Sequence, residues 1–161
     1  MNPILFLDID GVLNRHFFNE QSECCGIDDD LMHNLNDVYL STHCDIILSS
    51  AWRYMLQNGD MNIKGFEYML RTHGLHKDIK IIDRTLYDEV IRFRGQQILW
   101  SLDRHNIKNY AIVDDLSKGE MCEGLTPTQS HFILSRLVTT DPNEGLNFEK
   151  KNSLITLLKG E

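Results

Sequence analysis

Short, predominantly apolar runs alternate along the chain with longer stretches in which apolar positions recur every three or four residues. Ile4–Leu7, Asp45–Ser49, Ile79–Ile82, Tyr110–Val113 and Leu137–Thr139 are of the first kind and predict short strands buried on both faces. Between them, Asp28–Thr42 puts Leu31, Leu35, Val38 and Tyr39 on one stripe, and Asn62–Thr72 does the same with Phe66, Met69 and Leu70. Gly95–Arg104 aligns Ile98, Leu99 and Leu102, and Asn147–Leu158 aligns Leu154, Ile155 and Leu158. Each stripe predicts an amphipathic helix. Asp28-Asp29-Asp30 offers caps and favourable charge at the start of the first helix, and Gly74 stops the second.

Strands alternating with helices predict an α/β fold, with a parallel sheet covered on both faces. In such sheets ligands bind beyond the carboxyl ends of the strands, where strand order reverses. The residues at those ends therefore matter most. The first strand runs into Asp8 and Asp10, the second into Ser49-Ser50, and the fourth into Asp114-Asp115. Acids and hydroxyls are thus expected to meet at one edge of one sheet.

That set can support phosphoryl transfer. Side chains at i and i+2 on a strand end share a side, so Asp8 and Asp10 can face one ligand if the backbone turns after Asp8. One unprotonated aspartate can attack phosphorus, and the other can protonate the leaving oxygen and then activate water. Gly11 permits a turn that brings backbone amides near a phosphate. Crowded carboxylates call for a hard cation, and Mg²⁺ suits carboxylate, carbonyl and water oxygens. The expected metal ligands are Asp8, Asp10 through a nearby backbone carbonyl, and Asp114 and Asp115, with either of the last two as the direct ligand. A hydroxyl of Ser49 or Ser50 would hold a phosphoryl oxygen, and Arg94, with Arg92 second, would offset transition-state charge.

The order strand-Asp8-Ile9-Asp10-Gly11-Val12, strand-Ser49, basic residue, strand-Asp114-Asp115 resembles the haloacid dehalogenase (HAD) superfamily of phosphatases. Further matches are Leu13-Asn14, Ala51-Trp52-Arg53, Arg94-Gly95, Ile112-Val113, Thr140-Asp141-Pro142 and Gly145-Leu146. These resemble a capless branch that includes the HAD domains of RNA-repair proteins. The resemblance implies a Rossmann-like three-layer sandwich around a mainly parallel sheet, without a large cap domain. It also implies Asp8 as nucleophile, Asp10 as general acid/base, Ser49 as phosphate ligand, and Asp114 and Asp115 completing a Mg²⁺ site. The family's basic residue is commonly lysine. Arg94 stands in that role here, with Lys80 or Arg84 as substitutes should it point away.

Spacing bears on the substrate. About 38 residues separate Asp10 from Ser49 and about 44 separate Ser50 from Arg94, and predicted helices and a strand use most of both. That leaves no room for a cap, so the site is expected to be open and suited to a phosphate on a macromolecule: a nucleic-acid end or a protein phosphotyrosine. A small phosphomonoester is the narrower alternative, and a non-catalytic binding module is the alternative from another class. Dehalogenation fits poorly, because it has no use for Asp10. A net charge of −8 gives no broad basic face for nucleic acid, although Arg92, Arg94, Arg104 and Lys108 lie close together in the chain. His16, Phe17 and Phe18 follow the first acidic loop, where the resemblance to the superfamily implies a flap over the site.

The four cysteines, Cys24, Cys25, Cys44 and Cys122, have no zinc-ligand spacing and are expected as reduced thiols in a cytoplasmic setting. No signal peptide or membrane-spanning run is evident in the sequence. With 161 residues and no internal boundary, one domain over 1–161 is expected, either complete or the N-terminal part of a longer chain.

Overall fold

A computed structural model describes residues 2–15, 26–86 and 88–160. His16, Phe17 and Phe18, for which a flap was expected, and the pair Cys24 and Cys25 lie outside the described residues.

The described elements follow one another as β1 (Ile4–Leu7), α1 (Asp29–Thr42), β2 (Asp45–Leu48), α2 (Arg53–Gln57), α3 (Ile63–Thr72), β3 (Ile81–Arg84), α4 (Arg94–Arg104), β4 (Tyr110–Asp114), α5 (Lys118–Met121), α6 (Pro127–Leu134), β5 (Leu137–Thr139) and α7 (Phe148–Lys159). The five strands form one sheet in the order β3-β2-β1-β4-β5, and every pairing is parallel. Chain order reverses between β1 and β4, so the crevice expected to take a ligand opens at the ends of those two strands.

Strand alternation divides the core. Leu5 and Leu7 of β1 face one layer, where Leu31 and Leu35 of α1, Phe66 and Leu70 of α3 and Leu154 and Leu158 of α7 are buried. Ile4 and Phe6 face the other, against Ile98 and Leu102 of α4, Met121 of α5 and Ile133 of α6. These two apolar layers on a five-stranded sheet make the three-layer, Rossmann-like sandwich, and no cap domain is present among the described residues. The segment between β2 and β3 is used instead for α2 and α3, whose Phe66 and Leu70 complete the first layer.

Two expectations are corrected. The third strand begins at Ile81 and continues through Asp83 and Arg84, which pair with Ile47 and Leu48. Backbone pairing with β2 sets its position, and Ile79 serves the core from outside the strand. Asp28 occupies the N-cap position of α1 but makes no side-chain cap; its carboxylate accepts from the Arg15 amide at 3.0 Å, tying down the chain after the first loop. Helices α2, α5 and α6 were not expected. α2 and α5 are only 5 and 4 residues long, and α6 is 8, too short to display a clear apolar period.

Candidate functional site

The parallel ladder continues past the formal strand ends and sets the height of the polar residues. Asp8 N donates to Val113 O at 3.0 Å, Ser49 N to Leu7 O at 2.8 Å and Thr140 N to Asp114 O at 3.0 Å. After Asp8 the chain turns: the amides of Val12 and Leu13 both donate to Ile9 O. Gly11 makes this turn with φ +70°, and a Cβ there would meet Asp115 Oδ2 at 2.5 Å, so both the backbone conformation and the space require glycine.

The turn separates the two acids of the first loop. The carboxylates of Asp8, Asp114 and Asp115 converge, each offering an oxygen within 4.8 Å of the others. The Asp10 carboxylate stands outside this cluster. Trp52 Nε1 donates to Asp10 Oδ2 at 2.9 Å, and Asn14 Nδ2 donates to Asp10 Oδ1 at 2.8 Å. Asn14 Oδ1 in turn accepts from the Gly11 amide at 2.9 Å. The Asp10 carboxylate is thus held apart from the other three, and the expectation for Asp10 toward a cation stays with its backbone carbonyl. The physical reason is that β1 ends at Leu7, so strand alternation no longer governs positions 8 to 10.

Arg94, the first residue of α4, reaches into the cluster. Its Nη1 lies 3.1 Å from Asp114 Oδ2 and 3.8 Å from Asp8 Oδ1, and it donates to Ser49 Oγ at 3.4 Å. Arg92 faces away and donates to the carbonyl of Glu89, while Lys80 and Arg84 line a groove beside β3. Ser49 and Ser50 are both buried at the end of β2. Next to them Arg53 is 4 % exposed and donates to Ser50 O at 2.8 Å. Burial, then the nearby Arg94, lowers its pKa.

The electrostatics are those of a site short of positive charge. Burial first, then the neighbouring Asp114, raises the Asp8 carboxyl from 3.8 to about 7; Arg94, Ser50 and the Ile9 amide pull the other way. Asp114 is fully buried. Its Oδ1 accepts from Leu116 N at 3.0 Å, but its Oδ2 has no hydrogen-bond partner among the described residues, the 3.1 Å approach of Arg94 being misaligned for one. An orphaned, buried carboxylate oxygen inside a three-acid cluster fits a hard divalent cation.

The family model of HAD domains in Swiss Army Knife RNA repair proteins matches residues 4–150. The chain belongs to this family. No curated protein and no solved structure matches it. The match runs from the start of β1 into α7 and so includes every polar strand end described above. As an HAD domain the chain falls among proteins that are in general hydrolases and phosphatases, and its acidic cluster is able to bind the Mg²⁺ such domains typically use.

Within this HAD domain four contributors to the site lay in the matching motifs without a role assigned from sequence. Asn14 and Arg53 bond to partners 4 and 3 residues away, whereas the partner of Trp52 is 42 residues away. Thr140 is the fourth: it donates to Gly11 O at 2.8 Å across 129 residues. Together with Leu146 N, which donates to Val12 O at 2.8 Å, it holds the first loop from the side of β5.

Proposed function

We propose that this HAD domain is a Mg²⁺-dependent phosphomonoester hydrolase that works through an aspartyl-phosphate. The observation that carries the reading is the convergence of Asp8, Asp114 and Asp115 within 4.8 Å, with the Arg94 guanidinium against two of them. Asp8, Asp114 and Asp115, with the backbone carbonyl of Asp10, would hold the cation, which supplies charge neutralisation and alignment for the phosphate.

The protein groups divide the remaining work. A carboxylate oxygen of Asp8 attacks phosphorus, and the bond from phosphorus to the leaving oxygen breaks. Asp10, protonated and oriented by Trp52 and Asn14, gives its proton to that oxygen. It then takes a proton from water, whose oxygen attacks the same phosphorus and returns Asp8 as a free carboxylate. Arg94 and the hydroxyl of Ser49 or Ser50 hold the phosphoryl oxygens. Gly11 lets backbone amides approach the phosphate.

The substrate we infer is a phosphate at the end of a macromolecule. The absence of a cap domain among the described residues supports this, and membership in a family of RNA-repair proteins favours a nucleic-acid end over protein phosphotyrosine. The chain is then one catalytic domain, and free thiols at Cys44 and Cys122 fit a reducing, cytoplasmic setting. No described helix is long and apolar enough to cross a membrane.

The test is hydrolysis of p-nitrophenyl phosphate, 5′- and 3′-phosphorylated oligonucleotides and phosphotyrosine peptides, with Mg²⁺, with EDTA, and with Asp8→Asn. Metal-dependent turnover that disappears in Asp8→Asn is expected. Turnover retained by Asp8→Asn excludes the nucleophile, and no turnover on any ester favours the binding-module alternative.

A further inference from the structure

Beside the site a groove runs along β3, the edge strand of the sheet. Its first part, about 840 Å³, is lined by Leu56, Met61, Ile63, Lys64, Asp60 and Arg84, and its second, about 700 Å³, by Tyr39, Lys77, Lys80 and Ile82 among others. The two parts share Ile63 and Lys64. The first part lies at the catalytic edge: Arg84 is paired in register with Leu48, the residue before Ser49. α3 returns the chain from β2 to parallel β3, which puts the start of α3, with Lys64, at that same edge.

The charges in the groove run against those of the whole chain. Lys64, Lys77, Lys80 and Arg84 outnumber Asp60 and Asp78, while Arg71 and Glu67 offset one another in a 3.3 Å ion pair, in a protein of net charge −8. Arg84 Nε is buried without a hydrogen-bond partner, and the guanidinium has no ion pair among the described residues. Lys64 sits in the first turn of a helix that has no acid there, where the helix dipole disfavours a cation. A local cost of this kind is understandable where an anion is to be received. The basic residues clustered in the sequence make no such track, since Arg94 enters the site and Arg104 stacks over Trp100 at 5.0 Å.

We propose that this groove is the track for the single-stranded nucleic acid whose terminal phosphate enters the site, its backbone phosphates lying on Arg84, Lys64 and Lys80 and its bases against Met61, Ile63 and Tyr39. The distance from Lys80 to Arg84 along the strand is about 13 Å, the span of a few nucleotides. The proposal rests on the phosphatase reading for the choice of substrate, but binding tests it separately.

Fluorescence anisotropy with a short, labelled, single-stranded RNA that lacks a terminal phosphate measures the track alone. Lys64→Glu combined with Lys80→Glu is expected to weaken binding by tenfold or more, and to reduce the slope of log affinity against log salt by about 1.4, which is about 0.7 for each lost phosphate contact. Arg84→Gln and Lys64→Gln, milder in their demands on folding, are expected to weaken it less and in the same direction. Turnover of p-nitrophenyl phosphate should be unchanged in all of them, with the change confined to KM for phosphorylated RNA. Absence of RNA binding by the natural chain, or affinity and salt slope unaltered by the charge reversals, overturns the track. So does an acidic peptide that binds with the same sensitivity and displaces the RNA. If RNA binding depends on the groove and p-nitrophenyl phosphate is not turned over, the track stands and the phosphatase reading falls.

Discussion

Replacing Asp8, the proposed nucleophile, should stabilise the metal-free protein. Asp8 is buried beside Asp114, and these two causes lift its carboxyl to about 7 from 3.8. Ionising it in the folded chain above that pH costs about 4 kcal/mol relative to an ordinary aspartate. Asparagine has no charge to desolvate and still offers an oxygen to the Ile9 amide, now 2.8 Å from Asp8 Oδ1. The weaker neutral hydrogen bond returns about 1 kcal/mol, so a net gain of about 2–3 kcal/mol is expected at pH 8 in EDTA. For a domain of this size that is a rise in Tm of about 4–12 °C. The sign with pH follows from linkage. The folded state binds the Asp8 proton more tightly than the unfolded state, so the stability of the natural chain falls as pH rises from about 4 to about 7, and the advantage of Asp8→Asn grows over the same interval. At pH 5 the two chains should melt nearly together. Mg²⁺ should raise the natural chain more than the variant, because the cation relieves the repulsion that asparagine has already removed. Differential scanning calorimetry at pH 5, 6, 7 and 8, with EDTA and with Mg²⁺, makes the measurement. A lower Tm for Asp8→Asn in EDTA at pH 8, or a gain independent of pH, would refute the assignment of burial and Asp114 as the forces on Asp8.

Three further outcomes are expected. Arg94→Ala leaves Asp114 buried without its 3.1 Å partner and should cost about 3–5 kcal/mol in EDTA, with Mg²⁺ recovering a good part of it in a thermal melt; equal loss with and without Mg²⁺ would place the cation elsewhere. Trp52→Phe keeps the apolar ring near Phe66 but removes the donor to Asp10, so kcat should fall about tenfold or more with little change in Tm, and an unchanged kcat would remove Trp52 from the orientation of Asp10. Gly11→Ala forces a side chain into left-handed backbone and against Asp115 Oδ2, so it should cost about 1–2 kcal/mol from the backbone alone and weaken Mg²⁺ binding by calorimetric titration.

Family membership and the free-standing geometry contribute differently to the functional reading. The family places the chain among HAD-type hydrolases, and the proposal of Asp8 as nucleophile, first implied by the resemblance, is supported by its place in one cluster with Asp114 and Asp115. The Asp10 carboxylate, restrained by two hydrogen-bond donors and outside the cluster, is the group proposed for proton transfer.

The architecture and the positions of the acids follow from the patterning of the chain alone. Ile4–Leu7 and Tyr110–Val113 are apolar throughout because a central parallel strand buries both faces, and the first polar residues after such runs have to lie at the sheet's carboxyl edge. Asp8, Ser49, Arg94 and Asp114 were therefore legible, each by its position relative to a strand or helix end. How these groups are arranged toward one another depends on long-range contacts. Whether Asp10 joins the cluster depends on a turn made after the strand has ended, and on Trp52, 42 residues away. The third strand moved because hydrogen bonding to β2, and not its own apolar run, sets its register. Thr140 reaches Gly11 and Arg84 lies beside the residue preceding Ser49 because separate strands lie side by side in the sheet. Periodicity reports which face of an element is buried; it carries no information on which distant element covers that face, and the restraint of Asp10 and the basic groove both arise there.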